Sequence, residues 1–258
     1  MTWKNITLER EGQLAYVTMN RPERRNALSL EHLQELLECF RALGEDKGAR
    51  VVILRGKGPA FSAGHDLSEM VDRPAEFYER LFRVCTDVME TIHALPQPVI
   101  AEVHGVATAA GCQLAAACDL VMASSEARFA TPGIKIGLFC STPMVEVSRA
   151  VGSKKAMEML LTGEMISAEE AKAAGLVNRV VPAAELAKAT KELAEKIAGY
   201  SASVLALGKR AFWRQLQLPR EAAYQHTQEV MCSNARAPDA QEGMSAFLAK
   251  RAPKWTGR

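Results

Sequence analysis

One segment near the middle of the chain defines the architecture, and it reads Pro98-Val-Ile-Ala-Glu-Val-His-Gly-Val-Ala-Thr-Ala-Ala-Gly-Cys-Gln-Leu114. Its first six residues form the apolar run of a buried strand, and the residues that follow predict a helix near 110–118 built mostly from small side chains. Small side chains allow a ligand to approach the backbone closely. A helix N-terminus also offers unpaired N–H groups and the positive end of the helix dipole. The segment therefore predicts a site that stabilises a developing negative charge.

Strand-like and helix-like segments alternate on both sides of this segment. Residues 6–10 and 14–20 predict a β-hairpin, and Ser29 is the expected N-cap of a helix that stops near Gly44. The other predicted segments are strands at 51–55, 98–103, 119–123 and 178–181 and helices at 74–94, 183–200, 201–216, 221–233 and 238–250. The alternation predicts an α/β fold with right-handed crossovers and a mostly parallel sheet. We place a core domain at residues 1–198 and a helical region, for oligomerisation or as a lid, at 199–258.

Composition argues against several classes of protein. Lys and Arg number 32 against 30 Asp and Glu, and aromatic residues make up 6% of the chain, so no nucleic-acid partner is expected. The longest apolar run, 105–118, is too short to span a membrane. The six cysteines form no Cys-x-x-Cys pair and share no ligand spacing with the five histidines, so we expect reduced thiols and no metal. Because the N-terminal residues do not resemble a secretory signal, we expect a cytoplasmic protein.

A second glycine-rich loop, Gly56-Lys-Gly-Pro-Ala-Phe-Ser-Ala-Gly-His-Asp66, follows the strand at 51–55. It lacks the third glycine of a dinucleotide-binding fingerprint, and neither loop ends in the Gly-Lys-Ser/Thr of a P-loop. Each loop follows a buried strand and precedes a helical segment, so one backbone N–H from each could converge on a single carbonyl oxygen. Taken alone, both loops are better explained as tight turns in an α/β protein.

Several segments together resemble the crotonase (enoyl-CoA hydratase/isomerase) superfamily. They are Arg21-Pro-Glu-Arg-Arg-Asn-Ala-Leu-Ser29, Phe61-Ser-Ala-Gly-His-Asp-Leu67, Gly105-Val-Ala-Thr-Ala-Ala-Gly-Cys-Gln-Leu-Ala115, Phe129-Ala-Thr-Pro-Gly-Ile-Lys-Ile-Gly-Leu138, Leu161-Thr-Gly-Glu164, Ala171-Lys-Ala-Ala-Gly-Leu-Val177 and Glu242-Gly-Met-Ser-Ala-Phe-Leu-Ala-Lys-Arg251. They cover most of the chain in the family's order. The resemblance implies a spiral core of ββα turns with a C-terminal helical region, assembled as a homotrimer or as a hexamer of two trimers.

The resemblance also implies an acyl-coenzyme A (acyl-CoA) thioester as the substrate, with no separate cofactor. The thioester carbonyl would be held by the backbone N–H groups of His65 and Ala110, an oxyanion hole that stabilises an enolate. Ala63 and Gly64 would bind substrate beside His65, and Gly111 would complete the site after Ala110.

The resemblance also implies that the acid–base residues of the family's hydratases are replaced in this chain. Two glutamates there hold a water molecule and move its protons, and the corresponding positions are Gln113 and Gly133. A further position that related enzymes use for a carboxylate falls near Ser141. General acid–base catalysis contributes about 10²–10⁴-fold. Hydration is therefore expected to be weak or absent, and glutamates restored at both positions are expected to raise it.

Three other side chains near the predicted site have roles that the sequence does not decide. Cys140 is expected beside the acyl group and is a candidate nucleophile, although no histidine partner is identifiable. Asp66, placed with the substrate-binding residues, is expected to fix its own loop through hydrogen bonds rather than to act as a base. Glu146 is expected to be structural or to face solvent.

The coenzyme A moiety is expected to contact basic residues. Arg24 and Arg25 occupy the family's early loop that faces coenzyme A, while Phe247 and Lys250 match a C-terminal Phe-x-x-Lys that reaches the nucleotide from a neighbouring subunit. Solvated surface charge is the alternative for the basic side chains, and a core position is the alternative for the aromatic ring. Two other functions remain open, a non-catalytic acyl-CoA binder or oligomer partner and an acyl-CoA thioester hydrolase.

Overall fold

The computed structural model describes residues 3–257, in which strands and helices alternate through most of the chain. The strands are β1 (Ile6–Glu11), β2 (Leu14–Met19), β3 (Val51–Gly56), β4 (Ala60–Ser62), β5 (Val99–Val103), β6 (Val106–Thr108), β7 (Leu120–Ser124), β8 (Arg128–Ala130), β9 (Ile166–Ser167) and β10 (Arg179–Val181). The helices are α1 (Leu30–Glu45), α2 (Ala75–Ala94), α3 (Ala110–Ala117), α4 (Pro143–Val151), α5 (Ser153–Thr162), α6 (Ala168–Ala174), α7 (Leu186–Ala198), α8 (Ala202–Gln215), α9 (Arg220–Arg236) and α10 (Pro238–Leu248).

The larger sheet contains six strands in the order β1-β2-β3-β5-β7-β10. Only β1 runs antiparallel to its neighbour, and the other adjacent pairs are parallel. The hairpin predicted around Glu11-Gly12 is confirmed, and Gly12 adopts the positive φ (+56°) that a tight turn favours for glycine. The predicted strands of this sheet are confirmed to within one residue at most ends, because their apolar runs are long enough to read.

A second sheet, in the order β4-β6-β8-β9, was not predicted. Its strands have two or three residues each, too few for an alternating pattern to emerge from the sequence. Parallel pairing of β4 with β6 is nevertheless decisive for the site, because it sets the two glycine-rich loops side by side.

The sequence explains where α1 begins and why α3 consists of small, apolar residues. The side chain of Ser29 accepts a hydrogen bond from His32 N at 3.1 Å and caps α1, as predicted. In α3 every residue except Ala116 is buried, which explains its small, apolar composition. A helix buried on nearly all sides can hold its first N–H groups in a fixed position.

The C-terminal helices are attached to the core by a buried ion pair. Lys209 of α8 lies 2.6 Å from Asp119 and also donates to the carbonyl oxygens of Ile92 (2.8 Å) and Gln97 (2.9 Å). Trp213 Nε1 donates to the second oxygen of Asp119 at 3.0 Å. Both charges are therefore hydrogen-bonded, as a buried pair requires. The division at residue 198 and the role of residues 199–258 in oligomerisation or as a lid stay predictions.

No helix among residues 3–257 is long and apolar enough to cross a membrane. Within the same residues, no three His, Cys, Asp or Glu side chains lie together in a way that could hold a metal ion.

Candidate active site between two glycine-rich loops

Asn26 joins the loops around the candidate site, and sequence analysis gave it no role. Its side-chain amide donates to the carbonyl oxygens of Ala60 (2.8 Å) and Lys57 (2.9 Å) and accepts from Arg21 N at 2.9 Å. Ser62 Oγ donates to the carbonyl oxygen of Asn26 at 2.9 Å. Asn26 is fully buried and has a φ of +53°, a region that asparagine tolerates better than most residues. An asparagine within a polar loop is the one signal that could have indicated it.

Two glycines allow the loop after β4 to touch the start of α3. A Cβ added to Gly64, whose φ is +89°, would lie 2.9 Å from Thr108 O and 3.3 Å from Ala110 N. A Cβ added to Gly111 would lie only 2.3 Å from Ser62 O. Any side chain at either position would push the two loops apart, so the approach of the backbones depends on glycine.

The two predicted backbone donors, His65 N and Ala110 N, lie at this junction. The neighbours of His65 are paired with another loop, since Leu28 N donates to Gly64 O (2.7 Å) and Asp66 N donates to Leu28 O (3.2 Å). Ala110 is the first residue of α3, so its N–H has no partner within the helix. Neither N–H donates a hydrogen bond to any other part of residues 3–257. The arrangement is typical of a site that holds a carbonyl oxygen on backbone N–H groups.

Ala109, immediately before α3, has a strained backbone. Its φ of +49° and ψ of −119° lie in a region that residues with a Cβ rarely adopt, at a cost of about 1–3 kcal/mol. A hydrogen bond from Ala109 N to Ala130 O (2.9 Å) holds the turn in place. Strain of this kind concentrates at functional sites, where the surrounding structure maintains it.

The side chain of His65 is half-buried, with both ring nitrogens shielded from solvent. Its ring packs edge-on against Phe82 of α2, with the ring centroids 5.4 Å apart. Both ring nitrogens are buried without a hydrogen-bond partner among the residues the structure describes. Burial lowers the pKa of His65 to about 4, so the ring is neutral at pH 7.

Gln113 lies one helical turn after Ala110 and is 3% exposed. Its Oε1 atom lies 3.9 Å from Cys85 Sγ on α2. The side chain therefore faces α2, on the same side as the His65 ring. It offers hydrogen bonds but no carboxylate for proton transfer.

Gly133 lies where the structure leaves no room for a side chain. An added Cβ would be 2.3 Å from Leu138 O and 2.8 Å from Cys140 Sγ. Gly133 N also donates to Cys140 Sγ at 3.3 Å. The segment 138–140 thus fills the position, and a glutamate could enter only if that segment moved. The expectation that two restored glutamates would raise hydration did not include this obstacle.

Cys140 and Ser141 lie next to each other, and among residues 3–257 neither has the partners of an activated nucleophile. Burial raises the pKa of the Cys140 thiol, which keeps it protonated and weakly nucleophilic at pH 7. Ser141 is exposed, and its hydroxyl donates to Phe139 O at 3.3 Å. This geometry gives little support to covalent catalysis.

Asp66 is occupied by its own loop. One oxygen accepts from Ser68 N (3.2 Å) and Ser68 Oγ (2.6 Å), and the other lies 3.0 Å from Arg21. Burial alone would raise the pKa of Asp66, but the hydrogen bonds from Ser68 and Arg21 outweigh it and lower this pKa below its usual value. The carboxylate is thus engaged in holding the loop, and its role towards substrate stays a prediction.

The residues predicted to bind coenzyme A divide into two groups. Arg24 and Arg25 are exposed, and the Arg25 carbonyl accepts from Ala63 N at 3.0 Å, so this loop adjoins the candidate site. Phe247 is 83% exposed at the end of α10, and Lys250 follows it, also exposed. In the single chain the Phe247 ring is turned to solvent.

Glu146 is buried rather than facing solvent. It lies on α4 with one carboxylate oxygen 3.6 Å from His93 Nε2, and the His93 ring stacks on Trp213 at 3.8 Å. Burial raises the pKa of Glu146 and lowers the pKa of His93. Both shifts act against the charged forms, as expected for side chains enclosed between helices.

The structure is an α/β fold in which two backbone N–H groups without partners among residues 3–257 lie where two glycine-rich loops meet. The family model described as "Enoyl-CoA hydratase/isomerase" matches residues 9–258. The chain belongs to the enoyl-CoA hydratase/isomerase family.

Individual relatives agree with this assignment. A solved enoyl-CoA hydratase from Mycobacterium smegmatis is 50% identical, with a TM-score of 0.96 over 98% of this chain and 99% of that chain. The solved human enoyl coenzyme A hydratase domain-containing protein 3 is 43% identical, with a TM-score of 0.95 over 98% and 100% of the two chains. The relative of the same name from Xenopus laevis is 46% identical over 96% of this chain and 85% of its own length. These likenesses confirm the predicted crotonase-like fold.

The expected cytoplasmic localisation is contradicted by the relatives. Five of them, from a frog, a fish and three mammals, carry the name enoyl-CoA hydratase domain-containing protein 3, mitochondrial. The prediction was wrong because it relied on the N-terminal residues and on the cysteine pattern, and reduced thiols alone do not identify a compartment.

Proposed function

We propose that this chain is an acyl-CoA enzyme that holds the thioester carbonyl on the N–H groups of His65 and Ala110 and stabilises the enolate. The observation that carries the proposal is the pair of unpaired backbone donors beside Gly64, where the two loops meet. Loss of a single donor of this kind typically costs about 10²–10³-fold in rate. The names of the relatives, which refer to enoyl-CoA hydratases, support the choice of thioester.

Hydration by the usual two-carboxylate route is proposed to be weak or absent. Gln113 has no carboxylate, and the space beside Gly133 is filled by Leu138 and Cys140. The chain then retains its means of polarising the thioester while lacking the family's proton-transfer groups. Another group of the protein, or ordered water, would have to donate and accept the protons.

Removal of one donor without a change of side-chain chemistry tests the oxyanion hole. Proline at position 110 deletes the N–H at the first residue of a helix, where proline fits best. Because the residue before a proline favours extended backbone and Ala109 has a ψ of −119°, circular dichroism must first show that the variant keeps the wild-type fold. Ala202→Pro makes the same change at the first residue of α8 and serves as the matched control. We expect Ala110→Pro to weaken butyryl-CoA binding about tenfold and Ala202→Pro to leave it unchanged.

A ligand pair gives a second test that needs no variant. S-butyl-CoA is the thioether that lacks the carbonyl oxygen of butyryl-CoA. Wild-type protein is expected to bind the thioester about tenfold more tightly, measured by calorimetry. Equal affinities would contradict the oxyanion hole.

Turnover is tested with crotonyl-CoA, followed by mass spectrometry beside an authentic hydratase. A slow or undetectable addition of water is expected. Rapid hydration would show that another residue replaces the glutamates. Binding without any reaction would identify a non-catalytic acyl-CoA binder. Release of free coenzyme A that is lost in Cys140→Ala or Ser141→Ala would identify a thioester hydrolase.

We further propose that Arg24 and Arg25 contact the coenzyme phosphates, joined by Phe247 and Lys250 from a neighbouring copy in a homotrimer or hexamer. The α9 helix has no buried residue, and Tyr224 and other large apolar side chains of the C-terminal helices are exposed. A surface of this kind is typical of an interface. Analytical ultracentrifugation is expected to show three or six copies, and a monomer would contradict this part of the proposal.

A further inference from the structure

The imidazole of His65 is a buried polar group to which the proposed function gives no role. That function uses only the main-chain N–H of this residue, and both ring nitrogens are buried without partners in the part of the chain the structure describes. The carbonyl oxygen of Leu28 lies near the ring but does not meet hydrogen-bond geometry with either ring nitrogen, and it accepts from Asp66 N at 3.2 Å. Leaving a buried polar group unsatisfied costs folding free energy, so such a group in a native structure requires an explanation.

The position of the ring connects it to the candidate site. The ring packs on Phe82, and Gln113 Oε1 lies 3.9 Å from Cys85 Sγ. Phe82 and Cys85 are three residues apart on α2, so they lie on neighbouring parts of one helix surface. Gln113 in turn lies three residues after Ala110 on α3. The imidazole, the Gln113 amide and the two backbone donors therefore border one region between α2 and α3.

The charge state of the ring limits what it can bind. Burial lowers the pKa of His65 to about 4, so at pH 7 one ring nitrogen donates and the other accepts. A neutral imidazole without a nearby carboxylate partner suits an uncharged oxygen, which it can meet as a donor or as an acceptor.

We propose that the His65 imidazole recognises an oxygen on C3 of the acyl group, as a hydroxyl or a carbonyl. This inference rests on the proposed function, because the main-chain N–H of the same residue then holds the thioester oxygen. The ring is separated from that N–H by only a few bonds, and C3 is separated from the thioester carbonyl by a similarly short path. His65 would thus contact two oxygens of the same ligand, the thioester oxygen through its main-chain N–H and the C3 oxygen through its ring.

Three ligands of equal chain length test the inference. Butyryl-CoA has no oxygen on C3, 3-hydroxybutyryl-CoA has a hydroxyl there and acetoacetyl-CoA has a carbonyl. Calorimetry on the wild-type protein is expected to show about 3–10-fold tighter binding of at least one oxygenated ligand than of butyryl-CoA. The oxygenated ligand that binds more tightly than butyryl-CoA shows whether the hydroxyl or the carbonyl is recognised.

The His65→Leu variant isolates the ring, because it keeps the main-chain N–H. We expect the variant to bind the three ligands with equal affinity, so that the preference for the C3 oxygen, measured as a ratio of affinities within the variant, is lost. His104→Gln is the matched control, since His104 Nε2 contacts Gly58 O at 2.7 Å on the surface, and it should keep the preference. A preference that persists in His65→Leu would overturn the inference.

Wild-type protein alone also gives a decisive result if His65→Leu does not fold. With histidine labelled by ¹⁵N, 3-hydroxybutyryl-CoA or acetoacetyl-CoA should shift the His65 ring signals in a way that butyryl-CoA does not. His32 is the internal reference, because it is buried elsewhere with Nδ1 3.2 Å from Ala27 O. Equal affinities for the three ligands, or identical spectra, would overturn the role of the ring. Failure of the wild type to bind even butyryl-CoA would instead overturn the proposed function.

Discussion

At the scale of single residues, the site depends on positions where a side chain is missing. Gly64 and Gly111 allow the loop after β4 to touch the start of α3. Gly133 allows the segment 138–140 to occupy the space that a side chain at position 133 would need. The strained Ala109 belongs to the same group, because its positive φ turns the chain into α3. Small residues therefore shape the candidate site more than its polar side chains do.

Gly64→Ala is expected to separate the two loops. The new Cβ would lie 2.9 Å from Thr108 O in a backbone conformation with φ +89°, and we expect a loss of about 1–3 kcal/mol in unfolding free energy. Butyryl-CoA affinity should fall at least tenfold. Gly208→Ala in α8 is the control, since its Cβ meets nothing within 4 Å, and it should raise stability by about 0.5–1 kcal/mol. Denaturant titration checks both, and equal effects would refute the steric argument.

Restoring the hydratase glutamates is expected to succeed at only one position. Gln113→Glu keeps the side-chain volume, and we expect it to fold and to raise crotonyl-CoA hydration. Adding Gly133→Glu should remove that gain and lower unfolding free energy by about 1–3 kcal/mol, because Leu138 O lies 2.3 Å from the new Cβ. Hydration by the double variant above that of Gln113→Glu would show that the segment 138–140 moves easily.

At the scale of secondary-structure elements, α8 is held to the core by one polar cluster. Asp119 accepts hydrogen bonds from Lys209, from Trp213 and from Val99 N (2.7 Å), so it connects α8 to β5 and to the end of α3. Burial lowers the pKa of Lys209, although the Asp119 carboxylate opposes that shift. The cluster fixes the orientation of the first C-terminal helix.

Lys209→Met is expected to be strongly destabilising. It removes one charge of a buried pair and leaves Asp119 unpaired, which typically costs about 3–5 kcal/mol. Lys188→Met is the matched control, because Lys188 is exposed and lies 4.0 Å from Glu192, and its effect should stay below about 1 kcal/mol. Urea unfolding of both variants checks the comparison. Similar losses in the two would show that burial of the Lys209 pair carries no special weight.

At the scale of the whole molecule, the C-terminal segment closes back onto the helical region. Asp239, at the start of α10, accepts from Ser201 Oγ (2.5 Å), Thr256 N (2.7 Å) and Gly257 N (3.0 Å). Trp255 Nε1 donates to Gly199 O at 3.0 Å. These contacts clamp the beginning of α8, the beginning of α10 and residues 255–257 together.

Because of these contacts, the stability of the fold is expected to fall at acidic pH in a defined range. Although burial opposes it, the hydrogen bonds from Ser201, Thr256 and Gly257 lower the pKa of Asp239 to about 2, from an ordinary value of 3.8. A lowered carboxyl pKa stabilises the fold above the unfolded value, and this stabilisation is lost as the pH falls from about 4 towards 2. Asp239→Asn should reduce stability at pH 7 and flatten its decline below pH 4, whereas Asp72→Asn at an exposed position should not. Thermal unfolding across pH 2–7 measures this.

Much of the architecture could be predicted because short stretches of the sequence show the patterns that are typical of strands, helices and helix N-caps. Apolar runs marked the central strands, Ser29 marked the start of α1, and the small residues of 110–117 marked a helix buried on nearly all sides. Each of these signals reflects the immediate environment of a short segment, which a single sequence carries. The correspondence of Gln113 and Gly133 with the hydratase glutamates came from the family resemblance and stays a prediction.

The tertiary structure alone decided which distant atoms meet. The second sheet of very short strands, the loop contacts of Asn26, the filled space beside Gly133 and the burial of the His65 ring all depend on segments far apart in the chain. Local periodicity cannot encode these contacts, since close packing fixes them only when the whole core assembles. The sequence by itself determined the longer strands and helices and the residues available for chemistry, whereas the packing decided which of those residues have room, partners and a free hydrogen bond.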